Sequence, residues 1–183
     1  GFAFGGSCLP KEVRAVTHIA QDLGIDLPLI NSLGKSNKTQ ISEAIRMAKE
    51  TGARKIGILG LAFKPGTDDL RESPILEVIA ALNADGIEIT IHDMAITEDT
   101  PLAGQLAYVR HGSPGLQALA KDLPIMLRDD IKDVIAQSDA LIVTHKNDVY
   151  QSAVQAADNT PVIDVVRLFD DLPQLENYAG IGW

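Results

Sequence analysis

From Arg54 onward the chain alternates short apolar runs with stretches of helical periodicity, and that alternation leaves few folds open. Lys55 to Leu61 predicts a short strand with glycines at 57 and 60, Pro74 to Ala84 a helix, and Ile87 to His92 a second strand. Further strands are predicted at Ile125 to Leu127, Ala140 to Thr144 and Pro161 to Val165, with helices around Asp130 to Gln137 and Tyr150 to Ala157 between them. Apolar strands of this length separated by helical segments describe a parallel sheet covered on both faces, a doubly wound, Rossmann-like α/β domain. The stretch from Met94 to Leu123 contains Thr100-Pro101 and Ser113-Pro114-Gly115, and reads as a helix, a loop and a second short helix.

Upstream the period is helical throughout. Val13, Val16, Ile19, Ala20 and Leu23 recur at three- and four-residue intervals, with Pro10 in the first turn and Gly24 just past the end. A second helix is predicted from about Pro28, capped by Asp26, to about Thr51, with Gly52 as its stop. Ile30, Leu33, Ile41, Ala44, Ile45 and Ala48 form its apolar stripe, which Gly34 and the polar run Lys35 to Gln40 interrupt. The chain thus divides into a helical region, residues 1–52, and an α/β domain, residues 53–183.

Cys8 is the chain's one cysteine, and it falls where a glycine-rich loop meets the first helix. Backbone N–H groups and the positive end of a helix dipole favour a thiolate at such a place, and Lys11 adds positive charge one turn on. Gly5 and Gly6 allow the backbone close to a bound group. A buried, inert thiol is the other reading of a single cysteine.

In a doubly wound sheet ligands bind outside the carboxyl ends of the strands, where the strand order reverses. The loop after the first strand lies there and carries Phe63, Lys64, Thr67, Asp68, Asp69 and Arg71. Lys64 and Arg71 are the cations to set against phosphates, one as a point charge and the other as a two-pronged donor. Alternatively, Arg71 pairs with Asp68 or Asp69 and holds the loop. Asp93 follows the second strand, where a dinucleotide fold keeps its ribose-binding acid, but no G-x-G-x-x-G precedes it. It reads equally as a turn residue.

A net charge of −9 sets the chain against nucleic acid and anionic membranes. A single cysteine excludes an internal disulfide framework, and no apolar run reaches the length of a bilayer. His18, His92, His111 and His145 lack metal-ligand spacing. No leader is visible, and the cytoplasm is the expected compartment.

Two segments carry a resemblance. Residues 1–11, GFAFGGSCLPK, look like the active-site segment of the UDP-glucose/GDP-mannose dehydrogenase family, and residues 60–74, GLAFKPGTDDLRESP, resemble its second signature. They occur in the family's order, and the likeness runs through the whole chain, more weakly after about Asp93. Ala3, Phe4, Leu9 and Pro10 around the cysteine are most similar to the GDP-mannose branch. The resemblance implies a nucleotide-sugar 6-dehydrogenase, which oxidises a sugar C6 alcohol to a carboxylate with NAD.

By the same resemblance Cys8 is the nucleophile and Glu12 a catalytic carboxylate, although many relatives carry Asp there. Lys11 and Arg71 match NAD contacts, while Phe2, Gly5, Phe63 and Lys64 match contacts to the nucleotide sugar. Arg167 is a further nucleotide contact, one residue later than the Asp-x-Arg arrangement of UDP-glucose enzymes. The central helices imply a homodimer, or else their stripe packs on its own domain. Because the chain opens inside a motif without Met, it is expected to lack the family's N-terminal NAD-binding domain. Two other classes share these features: a non-catalytic nucleotide-binding module, and a different thiol enzyme of aldehyde dehydrogenase-like or acyl-transfer type.

Overall fold

The computed structural model describes residues 2–109, 113–157, 159–171 and 176–182. Two helices lead, α1 (Leu9–Asp22) and α2 (Pro28–Glu50), followed by β1 (Lys55–Leu59), α3 (Pro74–Ala84), β2 (Glu88–His92) and α4 (Ala103–Val109). Then come α5 (Pro114–Met126), α6 (Ile131–Ala136), β3 (Ala140–Val143), α7 (Asp148–Ala156), β4 (Val162–Asp164) and β5 (Tyr178–Gly180). The five strands form one parallel sheet in the order β2-β1-β3-β4-β5. Its direction of growth reverses between β1 and β3, which is the binding crevice of a doubly wound sheet.

Alternation along the strands builds two apolar layers. Ile56 and Ile58 of β1 and Ala140 and Ile142 of β3 face a core shared with α2, α3 and α5. Leu59, Leu141 and Val143 point the other way, into a second core with Val134, Tyr150 and Val154 of α6 and α7. Strands buried on both faces must be apolar at nearly every position, which is why they are legible as short continuous runs.

Several expectations are corrected. β1 ends at Leu59: Gly60 N–H makes the last ladder bond, to the His92 carbonyl at 2.9 Å, and Leu61 N–H leaves the ladder for the Asp93 carboxylate at 2.7 Å. Ile125 to Leu127 is not a strand. Leu119, Ala120, Leu123 and Met126 are buried at helical spacing, so α5 runs on to Met126 and leaves Ile125 on its outer side. Only Leu127 meets the sheet, in an isolated bridge to Ile91. Asp26 does not cap α2: the capping position is Leu27, with no side-chain bond, and Pro28 itself starts the helix without an N–H to satisfy. Helix α2 passes unbroken through Gly34, and β5, a three-residue edge strand, lay outside the expected set.

The two leading helices are covered differently. Ile41, Ala44 and Ala48 of α2 join the core beneath α3, so that part of the stripe packs on its own domain. Helix α1 buries only Pro10 and Ala20, while Val16, Ile19 and Leu23 face solvent. Among the described residues no helix is long and apolar enough to cross a membrane.

Candidate functional site

The loop after β1, residues 60–73, is fixed from below by buried polar groups. The Asp93 carboxylate accepts from Leu61 N–H at 2.7 Å, Ala62 N–H at 3.2 Å and Ala95 N–H at 2.8 Å. These bonds satisfy a carboxylate that is almost fully buried and would otherwise be strongly unfavourable. Ser73 donates its hydroxyl to the Leu61 carbonyl at 2.8 Å, and His145 Nε2–H donates to the Ala62 carbonyl at 2.9 Å. His145 presents Nδ1 to Asp93 at 3.6 Å. Thr144, at the end of β3, donates to the Gly60 carbonyl at 2.7 Å and closes the crevice between β1 and β3.

The cysteine-bearing loop lies on top of this one. Gly6 N–H donates to the Arg71 carbonyl at 3.1 Å. A Cβ on Gly5 would stand 2.2 Å from the Glu72 carbonyl oxygen, and one on Gly6 2.8 Å from the Phe63 ring, where φ is also +87°. Only glycines allow the two segments this close. Asn37 of α2 clamps the same loop from the other side, accepting from Phe4 N–H at 2.7 Å and donating to the Phe4 carbonyl at 2.9 Å. Arg14 of α1 makes two bonds to the Glu72 carboxylate, at 2.8 and 2.6 Å. So exposed a pair adds about 1 kcal/mol or less to stability.

Where the loops meet, a cleft of about 220 Å³ opens at the carboxyl edge of the sheet, lined by Phe2, Phe63, Lys64, Pro65, Thr144 and Val166 among others. The fold therefore gathers Phe2, Phe63 and Lys64 in one place, with Gly5 resting on the segment behind it. Lys64 holds its ammonium 5.3 Å from the centre of the Phe63 ring. Cys8 is exposed at the N-terminal end of α1, with Ser7 Oγ 3.7 Å from its sulfur. Lys11 and Glu12 are also exposed and pair with each other at 3.1 Å. Two larger hollows have the Arg14–Glu72 pair in their walls, one of about 500 Å³ among α1, α2 and α3 and one of about 450 Å³ that reaches Val109 of α4 and Leu116 of α5.

Arg71 turns back on its own loop, donating to both Asp69 oxygens at 2.9 and 2.8 Å. Its guanidinium holds the Asp69 carboxyl below the usual range. Arg167 stands exposed beyond β4, at φ +57°, where buried Asp164 turns the chain by accepting from Val166 N–H and Leu168 N–H. Tyr178 also hydrogen-bonds Asp164, and burial together with that carboxylate raises its phenol above the usual range. The histidines lie apart: His18 on α1 beside Asp22, His92 against Tyr150, His145 beneath the loop. His111 lies outside the described residues.

The described residues do not fit a dinucleotide on this sheet. The turn out of β1 leads into a long loop instead of a glycine-rich turn straight into a helix, and Asp93 has both oxygens engaged by backbone N–H groups. Sequence reasoning singled out the loop but missed its fasteners. Asn37 belongs to the polar interruption of α2, Thr144 to the end of a strand run and Ser73 to the second signature, and none of the three, nor Arg14, carries a local sign of these bonds. Each acts on a partner remote in sequence, as Asn37 does on Phe4 at a separation of 33 residues.

Comparison with known proteins agrees with this geometry. The profile of the UDP-glucose/GDP-mannose dehydrogenase family, UDP binding domain, matches residues 57–171, and that of the family's central domain matches residues 1–39. The chain belongs to the UDP-glucose/GDP-mannose dehydrogenase family. It is 37% identical over its whole length to a GDP-mannose 6-dehydrogenase of Pseudomonas syringae pv. tomato, of which it spans 41%. A UDP-glucose 6-dehydrogenase of Bacillus subtilis matches 57% of the chain at 34% identity and is spanned for 24% of its length. Among solved structures, a ternary complex of GDP-mannose dehydrogenase from Pseudomonas aeruginosa superposes with a TM-score of 0.80 at 34% identity, covering all of this chain and 40% of that one. A UDP-glucose dehydrogenase from Pyrobaculum islandicum gives 0.73 at 25% identity over 98% of this chain and 38% of its own. The chain thus spans about two fifths of the length of the curated relatives it matches from end to end.

Proposed function

We propose that this chain is the thiol-bearing, nucleotide-sugar-holding part of an NAD-dependent nucleotide-sugar 6-dehydrogenase acting on GDP-mannose. The observation that carries the reading is the docking of the Cys8 loop on the loop after β1, with Gly6 N–H on the Arg71 carbonyl and the Phe63 ring under Gly6. That docking ties the loop bearing the exposed sulfur, two residues beyond Gly6, to Phe63, a wall of the cleft that also offers a cation, Lys64, and a second aromatic wall, Phe2. A nucleotide diphosphate calls for those groups: a point charge for phosphate and flat apolar surfaces for base or sugar. The full-length match to GDP-mannose 6-dehydrogenases, against a partial one to a UDP-glucose enzyme, favours GDP-mannose over a UDP-sugar, the second reading.

In this reading Cys8 Sγ adds to C6 of a sugar already oxidised to the aldehyde. The S–C bond forms as the carbonyl oxygen takes a proton, and covalent capture keeps the reactive aldehyde from escaping. The product is a thiohemiacetal, which becomes a thioester only by giving up a hydride to NAD, the acceptor the family implies, and a proton from its hydroxyl; water then attacks the thioester, the uronate leaves and the thiol is restored. Glu12 is assigned to orienting that water, one helical turn beyond the sulfur. NAD itself is assigned to a domain outside this chain, with Lys11 and Arg71 as the cations that would meet it once released from Glu12 and Asp69. The bare aliphatic face of α1 is assigned to a second copy, and the complete enzyme to the cytoplasm.

Alkylation of Cys8 by iodoacetamide tests the reading cleanly, because no other thiol is present. GDP-mannose at ten times its dissociation constant is expected to slow the reaction about tenfold, and UDP-glucose to do so less. Equal rates with and without either nucleotide sugar would contradict it. Alone with NAD and GDP-mannose, the chain is expected to form no NADH.

A further inference from the structure

We propose that Arg14 and Glu72 form a positioning pair that couples the helix carrying Cys8 to the nucleotide-holding loop. The inference rests on the reading of Cys8 and its neighbouring cleft given above. Two consecutive residues at the end of that loop touch the cysteine segment on both sides of the sulfur. The Arg71 carbonyl takes Gly6 N–H and the Glu72 carbonyl abuts Gly5, both before Cys8. The Glu72 carboxylate takes Arg14, after it.

Glu72 reaches this position in a left-handed backbone conformation, φ +48°, which a residue with a side chain adopts only under constraint from its surroundings. Next to it Ser73 is buried and bonded to the Leu61 carbonyl, so Glu72 moves with the loop floor. Helix α1, by contrast, has only Pro10 and Ala20 buried and otherwise leans on α2 through half-buried residues such as Val13. The hollows of about 450 and 500 Å³ on either side both have Arg14 and Glu72 in their walls, so the pair spans open space. An ion pair this exposed contributes little stability. Its two-bonded geometry instead sets an orientation. When a nucleotide sugar fills the cleft and shifts residues 63–72, the pair carries that shift to α1 and so to the sulfur.

The test compares wild type, Arg14→Gln, and the charge swap Arg14→Glu with Glu72→Arg. For each, Cys8 alkylation is measured with and without GDP-mannose, binding by calorimetry, and Tm. Arg14→Gln is expected to keep Tm within about 4 °C of wild type, as the loss of one exposed pair implies. At matched saturation its protection of Cys8 falls from about tenfold to under about threefold, and the swap restores more than half of it. Protection in Arg14→Gln equal to wild type, or a swapped protein that binds GDP-mannose yet leaves Cys8 unprotected, would overturn the coupling alone. Absence of protection in the wild type would instead overturn the substrate reading, and the inference with it.

Discussion

Helices α1 and α3 share a proline start but end up in opposite environments, α1 carrying one apolar stripe and α3 being apolar nearly all round. Each starts with a proline in its first turn and carries closely spaced aliphatic residues. In α3, Ile75, Leu76, Val78, Ile79 and Leu82 are all buried, whereas Val16 and Ile19 of α1 and Leu23 at its C-terminal cap remain 42%, 56% and 67% exposed. The connection explains the difference. Helix α3 joins two adjacent parallel strands, and such a crossover lays its helix on the sheet. Helix α1 precedes the sheet, and no crossover directs where its apolar face goes. A periodic stripe therefore tells that a face is apolar and leaves open what covers it.

Truncation should separate the two helices most sharply. Ile79→Ala removes a side chain with no exposed surface and is expected to destabilise by about 2–5 kcal/mol in urea unfolding, while Ile19→Ala changes stability by about 0.5 kcal/mol or less. Comparable losses at both positions would mean that α1 is covered within the chain.

A smaller effect concerns the bare face itself. If a second copy covers it, sedimentation should show mass above 19.6 kDa that rises with concentration, and Ile19→Ser with Leu23→Ser should return the chain to 19.6 kDa. Wild type that stays at the monomer mass throughout would break the assignment of α1 to self-association.

The smallest effect lies in the covered half. Burial pushes the His92 imidazole below its ordinary value of 6.5, against Asp93, Asp129 and Asp130, which pull the other way. The unfolded chain then binds the proton first, so stability is fully present above pH 6.5 and is lost as pH falls through the folded value. His92→Phe should flatten the fall in Tm below pH 6.5. Tyr150 keeps a partner in that variant, since its hydroxyl also donates to the His92 backbone carbonyl at 3.1 Å. An unchanged slope would assign the acid limb to the carboxylates.

Much of the framework could be read from residue order. The run from Pro74 to Ala84 matches α3 residue for residue, because its proline and its apolar density leave no competing structure. Ile125 to Leu127 misled because three apolar residues in a row suit a strand or the last turn of a buried helix equally. Of the residues that two short motifs single out, Phe2, Phe63 and Lys64 line one cleft and Gly5 rests on the segment behind it. Asn37, Arg14 and His145 were not legible, because each works through a partner 33, 58 or 83 residues away.

By itself the sequence determined the parallel α/β domain, the glycine loop ahead of Cys8 and the loop after the first strand that carries Lys64 and Arg71, since local periodicity, proline and glycine act over a few residues. Only the tertiary structure decided that these loops lie one on the other, that Arg71 folds back on Asp69 instead of standing free, and that α1 shows its aliphatic face to solvent. Those outcomes depend on which distant groups meet in space, and nothing in a local pattern encodes such meetings.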